Sequence, residues 1–326
     1  MNKTKFIYQQ LLAQFEDYLE TQAFNGFPEV LLEPARHIMH IRGKRIRPLL
    51  LLTACQAFNG NIAEALGPAG AVEIYHNFSL VHDDIIDKAD KRRGQPTVHK
   101  VFGLNKAILT GDAMLLHAFF LLGKGPEKIL GELLKVFNKA TSQVIEGEQY
   151  DVDFEVIPEV SEKDYMMMIK YKTSVLLAAS VQLGAIIGGA SEADKKHIYD
   201  FGLNLGLAFQ IKDDYLDTYG DGETFGKRIG GDIVQNKKTY LLITALKNTG
   251  DSERKRIFEL FEEKDEQVKI SNMLALYDRL DVKGQTFSKM EELYGKALES
   301  LNALSLEEES GKPLLELAEM VYQRKH

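Results

Sequence analysis

Apolar residues recur at helical spacing along almost the whole chain, and no stretch alternates apolar and polar positions as a half-buried strand does. Turn-forming clusters punctuate the pattern at Asn25-Gly26-Phe27-Pro28, Asn59-Gly60-Asn61, Gly94-Gln95-Pro96, Gly123-Lys124-Gly125-Pro126, Gly188-Gly189, the glycine-rich 219–232 and Asn248-Thr249-Gly250. Between them lie apolar stretches of helical length with short connections. The predicted fold class is all-α: one large helical bundle around a central hydrophobic pocket. No flexible linker or solenoid period divides it, so residues 1–326 read as a single domain.

Two regions need separate reading. Residues 173–191 carry no charge and graze the length of a membrane span, about 18 residues. Gln182 and the glycines at 184, 188 and 189 instead predict a buried bundle helix packed closely through small residues. From Asp251 onward the chain becomes more polar, with runs such as Glu262-Glu263-Lys264-Asp265-Glu266, and reads as amphipathic peripheral helices.

Composition narrows the classes. A formal charge of −8 offers no dominant basic face and argues against nucleic-acid binding. Cys55 is the only cysteine, which excludes a disulfide framework and a thiolate metal site and fits a reducing cytoplasm. Its apolar neighbours make it a buried small residue. The first residues have no apolar core of the signal-peptide kind, so the expected location is cytoplasmic, with no stable membrane insertion.

Against this bland background one pattern occurs twice: Asp83-Asp84-Ile85-Ile86-Asp87 and Asp213-Asp214-Tyr215-Leu216-Asp217. Aspartate is a poor guest inside a helix, yet both pentads end apolar helical runs, 69–82 and 201–212. Residues four apart share a helix face, so Asp83 pairs with Asp87 and Asp213 with Asp217. His76, seven residues before Asp83, lies on the same stripe. Basic clusters accompany the pentads: Gly43-Lys44-Arg45-Ile46-Arg47-Pro48 before a helix, where backbone N–H groups also favour anions; Lys91-Arg92-Arg93-Gly94; Lys170-Tyr171-Lys172-Thr173; and Lys227, Lys237 and Lys238 in or after the glycine-rich loop. Gln210 lies three before Asp213.

Carboxylate clusters without a His or Cys cage suit a hard ion such as Mg²⁺, which takes one or two carboxylates and completes its shell from water and phosphates. The surplus cations suggest a second anionic substrate, and long apolar helices suggest a dry pocket for a hydrocarbon. That combination suits ionisation of an allylic diphosphate and capture of the carbocation by a second, alkene-bearing diphosphate.

At these motifs the chain resembles the trans-type isoprenyl diphosphate synthases, or polyprenyl synthetases. The matching stretches are 43–48, the first pentad with Arg92-Arg93-Gly94, Lys172-Thr173, Phe209-Gln210-Ile211-Lys212-Asp213-Asp214, and Gly226-Lys227 through Lys237-Lys238-Thr239, in family order. The resemblance implies that Asp83, Asp87 and Asp213 ligate Mg²⁺, three ions per active site, with Asp84, Asp214 and Asp217 as ligands or supports. It implies that Arg92, Lys172, Thr173, Gln210, Lys227 and Lys237 hold the allylic diphosphate, and that Lys44, Arg47, His76 and Arg93 hold isopentenyl diphosphate. Asp83, Asp84, Asp87, Arg92, Lys172, Asp213 and Lys227 would then be the catalytic set, the pentads being halves of one Mg²⁺–diphosphate clamp. The family reaction is ionisation, condensation and elimination, the departing diphosphate collecting the proton, in an all-α homodimer. Gln235-Asn236 departs from the acidic residue and glycine of many members, which bears on loop closure.

Product length is set by depth below Asp83, at about 1.5 Å per helical residue. Phe78 followed by the small Ser79 resembles the C20-forming enzymes, so geranylgeranyl diphosphate is the expected product and farnesyl diphosphate the nearest alternative. Tyr75, Met114 and Phe119 are further candidates for the pocket floor. A longer-chain synthase, a terpene cyclase and a non-catalytic subunit fit less well. The cyclase has little need of a second diphosphate site, and non-catalytic partners typically lose a pentad. The basic tail Arg324-Lys325-His326 is a minor candidate to fold over a phosphate.

Overall fold

The computed structural model describes residues 3–41, 43–220 and 230–323, with side chains from residue 7 onward. Helix dominates it. In chain order come α1 (Lys3–Thr21), α2 (Glu29–His40), α3 (Ile46–Ala57), α4 (Ile62–Ile86), α5 (Val98–Phe102), α6 (Leu104–Leu122), α7 (Leu130–Val156), α8 (Glu162–Ile169), α9 (Val175–Ile187) and α10 (Glu192–Tyr219). After residue 230 follow α11 (Gly231–Val234), α12 (Tyr240–Asn248), α13 (Asp251–Phe261), α14 (Glu266–Arg279), α15 (Val282–Asn302) and α16 (Glu308–Tyr322). The polar region from Asp251 is helical, as expected, and buries Ile257, Leu260, Met273 and Leu276 on its inner faces.

Two features were not legible in the periodicity. Strands β1 (Lys91–Arg92) and β2 (Gln95–Pro96) form an antiparallel hairpin with Lys91 opposite Pro96 and Arg92 opposite Gln95. Two-residue strands are too short to leave an alternating pattern. Their turn, Arg93-Gly94, has φ of 50° and 79°, the left-handed pair that a two-residue hairpin favours. The uncharged stretch is also not one helix. A five-residue π-turn, Lys170–Ser174, precedes α9, which has 13 residues. Among the described residues no single helix is long and apolar enough to cross a membrane.

The chain packs as two compact units: Met1–Ser142 with Leu176–Gly202 and Ser300–Glu319, and Gln143–Val175 with Leu203–Glu299 and Met320–His326.

In the first unit α4 runs against α3 and α6. Asn61 caps its start, accepting the Ala63 N–H at 3.1 Å. Apolar residues from Ala65 to Val81 bury it on most sides, so it shows no amphipathic stripe. It ends at the first pentad, where the Asp87 N–H reaches the Asp83 carbonyl at 2.9 Å and keeps the two side chains on one face. α9 lies on α3 as its small residues predict: a Cβ on Gly184 would stand 2.0 Å from the Leu51 carbonyl oxygen. Cys55 is buried beside this contact, and burial pushes its thiol up to about 12, consistent with a packing role.

In the second unit two apolar clusters share α12. Tyr240 and Ile243 face Tyr165, Met168, Ile211 and Leu293, while Leu241, Leu242 and Leu246 face Ile257, Met273 and Tyr277. Lys269 is buried at the second cluster and donates to the carbonyls of Val234 (3.0 Å) and Phe261 (3.1 Å), tying down the ends of α11 and α13.

Candidate active site

The first pentad divides its labour by helix geometry. Asp84 turns into the core and is 2% exposed. Arg92, on β1, donates through Nε to both of its carboxylate oxygens at 3.0 Å and through Nη2 to Asp83 Oδ2 at 2.8 Å. Burial pushes the Asp84 carboxyl upward while Arg92 pulls it down. Burial likewise works against the Arg92 charge, but the bonds to and field of Asp84 and Asp83 outweigh it and raise its pKa. Nη2 also lies 2.9 Å from Asp84 Oδ1, so two guanidinium nitrogens hold the ion pair. Asp83 is partly exposed and Asp87 exposed, on a common face.

Arg93, next along the hairpin turn, goes elsewhere. Its Nη1 approaches the Ile41 carbonyl at 3.5 Å, and a Cβ on Gly43 would stand 2.7 Å from it, so Gly43 makes room for this guanidinium. Arg47, Arg93, Arg92 and Arg45 all lie near enough to His76 to act on it. Desolvation first, then these four charges in that order, hold His76 well below the ordinary histidine range. Arg92 and Arg45 are themselves paired with carboxylates, so the positive field at this neutral imidazole comes chiefly from Arg47 and Arg93, and such a field favours an anion. Lys44 is exposed, two residues before α3 begins. Arg45 itself points away from solvent, into a buried ion pair with Glu73.

The same division recurs in the second unit. Asp214 is 7% exposed and accepts bonds from the Tyr165 hydroxyl (2.5 Å), the Tyr240 backbone N–H (3.1 Å) and the Gln210 amide (3.3 Å). Burial and then Asp232 push its carboxyl up to about 7, while the three donors pull it back. Asp213 and Asp217 are partly exposed. Asp217 accepts the Asp232 N–H at 2.9 Å in the first turn of α11. Thr173 donates to Gln210 Oε1 at 2.9 Å, so Thr173, Gln210 and Asp214 form one chain of bonds. Lys172 sits in the π-turn and pairs with Glu148 (3.0 Å) and Asp151 (2.6 Å) of α7. π-turns often mark functional positions because the extra residue re-aims its neighbours. Lys237 is exposed after α11, its N–H on the Asp232 carbonyl at 2.9 Å. Asn236 takes φ of 55°, a conformation asparagine tolerates, and its amide donates to the Phe261 carbonyl at 3.2 Å. Lys227 and the tail 324–326 lie outside the described residues.

Below the first pentad, Phe78 is buried between Tyr75 (ring centroids 5.3 Å apart) and His82 (5.0 Å). Tyr75 meets Phe137, which meets Phe119, and the Tyr75 hydroxyl donates to the Thr141 carbonyl at 2.7 Å. Ser79 is half-buried, its hydroxyl donating to the His76 carbonyl at 2.9 Å. Met114 is fully buried. Phe137, Glu73, Tyr165, Glu148 and Asp151 join these groups without having been singled out in the sequence. Only the i, i+3 acidic spacing of Glu148 and Asp151 offered a signal.

Among the described residues no three His, Cys, Asp or Glu side chains converge as a metal cage. The donor set still fits a hard ion, because each pentad presents two accessible carboxylates and Mg²⁺ draws its remaining ligands from water and phosphate.

The polyprenyl synthetase family profile matches residues 28–277. The chain belongs to the polyprenyl synthetase family. A short chain isoprenyl diphosphate synthase of Methanothermobacter thermautotrophicus is 36% identical over 300 residues, 92% of each chain. A geranylgeranyl diphosphate synthase of Sulfolobus acidocaldarius is 34% identical over 98% of each. The crystal structure of a geranylgeranyl pyrophosphate synthase superposes with a TM-score of 0.92 at 40% identity, covering 100% of both chains. That of a polyprenyl synthase from Caulobacter crescentus, complexed with calcium and isoprenyl diphosphate, gives 0.85 at 27% identity, covering 98% and 97%. This polyprenyl synthetase is therefore an isoprenyl diphosphate synthase, a prenyltransferase with the family's all-α fold, and the family generally depends on a divalent metal.

Proposed function

We propose that the enzyme condenses isopentenyl diphosphate with C5 to C15 allylic diphosphates and stops at geranylgeranyl diphosphate (C20). The carrying observation is Phe78, buried in an aromatic cluster one and a half turns below Asp83 and followed by the small Ser79. In this reading residues 1–326 act as one domain. Asp83, Asp87, Asp213 and Asp217 would hold Mg²⁺, three ions in this reading, while Asp84 and Asp214 keep those carboxylates in place. Mg²⁺, when bound, neutralises the charge that develops on the leaving oxygens as the C–O bond breaks.

The chain's own residues supply the rest. Arg92, Lys172, Thr173, Gln210, Lys227 and Lys237 orient the allylic diphosphate. Lys44, Arg47, His76 and Arg93 hold isopentenyl diphosphate, His76 entering as a neutral donor among positive neighbours. The departing diphosphate takes up the proton lost on elimination, so no side-chain base is required. The exposed apolar residues Leu104, Ile108, Leu109, Leu116 and Phe120 on α6, interrupted by exposed Asp112, support a homodimer, since such surface is costly in water. The cytoplasm is the proposed location.

Incubating the purified protein with Mg²⁺, isopentenyl diphosphate and C5, C10 or C15 primers tests the reading. A C20 diphosphate from every primer is expected. Arrest at C15 makes it a farnesyl diphosphate synthase, cyclic hydrocarbon a cyclase, and no elongation a non-catalytic chain.

A further inference from the structure

Arg45 stands in the middle of the basic stretch 43–48, yet it makes a different kind of contact from its neighbours. Its backbone is left-handed, with φ of 49°, a conformation uncommon for a residue with a long side chain. Three partners from three helices hold it there. Nη1 donates to Glu73 Oε1 of α4 at 2.7 Å, Nε to Glu16 Oε1 of α1 at 3.1 Å, and Nη2 to the Met39 carbonyl near the end of α2 at 2.7 Å. Glu73 is fixed in turn, since Asn77 donates to the same oxygen at 3.2 Å. The Arg45 and Glu73 side chains are 9% and 5% exposed, so the pair is shielded from solvent while Glu16 closes its outer edge. Burying an ion pair is seldom the cheapest way to stabilise a fold, because desolvation offsets the attraction. What a rigid, multiply bonded guanidinium supplies is geometry.

We propose that Arg45 and Glu73 form a positioning brace that sets the corner 43–47 for binding isopentenyl diphosphate. The brace locks the left-handed corner between α2 and α3. That corner carries Lys44 on one side of Arg45 and Arg47 on the other, and Gly43 beside it makes room for Arg93. Glu73 precedes His76 by three residues on α4, so one buried pair registers the corner against the helix that carries His76. Arg45 touches no substrate in this assignment. It acts through Lys44, Arg47 and Arg93, and only on the diphosphate they hold. The proposal rests on the reading of those residues as the isopentenyl diphosphate site.

The test uses full-length Arg45→Lys, Glu73→Gln and Glu16→Gln enzymes with folding verified by circular dichroism. Arg45→Lys keeps a charge but cannot span three acceptors. Its KM for isopentenyl diphosphate should rise about tenfold or more, as expected when binding groups shift by a fraction of an ångström to one ångström. The KM for the allylic primer and kcat at saturating substrates should stay near wild type. Calorimetry of isopentenyl diphosphate binding to the metal-free proteins should show the same loss. Glu73→Gln should move in the same direction and less far. Glu16→Gln, at the half-exposed edge, is the variant that decides if the buried pair does not tolerate change, and a rise of a few fold, about 1 kcal/mol, is expected there. Lower thermal stability with unchanged isopentenyl diphosphate affinity overturns the proposal, as does a parallel loss for both substrates. Wild-type protein that binds the allylic diphosphate but not isopentenyl diphosphate overturns the underlying site assignment instead.

Discussion

The middle aspartate of each pentad shows how far one residue's surroundings govern its role. Asp84 and Asp214 are buried and saturated, the first by Arg92 and the second by Tyr165, Gln210 and the Tyr240 N–H. Their neighbours on either side remain accessible. Tyr165→Phe removes one donor from a buried carboxylate, so stability should fall by about 1–3 kcal/mol, measured by urea unfolding, with a fall in kcat larger than any change in either KM. His76 permits a signed prediction. Its folded pKa is depressed, so the unfolded chain binds the extra proton between that value and the ordinary value of about 6.5. Acidification through this window costs stability. His76→Gln removes the group, and its urea midpoint should drop less than that of wild type between about pH 7 and 5. An identical pH dependence would mean that His76 is not held neutral.

Elements translate these residues into reach and spacing. α4 carries Glu73, His76, Phe78 and the first pentad as far as Ile86, with Asp87 as its C-cap, so the proposed anion site, metal carboxylates and aromatic floor share one helix. Phe78→Ala should open the cluster below Asp83 and lengthen the product, read as a longer diphosphate by mass spectrometry. An unchanged distribution would remove Phe78 as the floor and turn attention to Phe137. The contact between α3 and α9 is set by Gly184. A methyl there would stand 2.0 Å from the Leu51 carbonyl oxygen, so Gly184→Ala should destabilise by roughly 3 kcal/mol or more, detected as a lowered thermal midpoint. The sequence announced a closely packed helix here, because small residues permit close backbones, but not that α3 is its partner. It did not announce the π-turn at 170–174, which depends on which carbonyl accepts each N–H rather than on side-chain period. The hairpin at 91–96 was missed for a related reason. Only its Arg-Arg-Gly turn was visible, and a two-residue strand has no alternation to read.

For the whole molecule, helix content, the buried uncharged segment and the amphipathic C-terminal helices followed from periodicity, since that pattern reports which face is wet. The ion-pair networks did not, because they join residues far apart in sequence: Arg45 with Glu16 and Glu73, Lys172 with Glu148 and Asp151, Tyr165 with Asp214. The cluster 43–48 gave no sign in sequence that Arg45, between Lys44 and Arg47, turns inward. At assembly level, Leu116→Glu places a charge in the exposed apolar surface of α6 and should convert the proposed dimer to monomer in sedimentation analysis, while a wild-type monomer would place that surface outside any self-interface.

Both pentads serving one reaction is the claim on which the rest depends. Its most direct measurement is the elongation rate with isopentenyl diphosphate, an allylic primer and titrated Mg²⁺, for wild type, Asp83→Asn and Asp213→Asn. Each substitution should lower kcat by about a hundredfold or more, because charge stabilisation at the leaving diphosphate is lost, and each should raise the Mg²⁺ concentration needed for half-maximal rate. Elongation at the wild-type rate in either variant, or at saturating chelator, would contradict it.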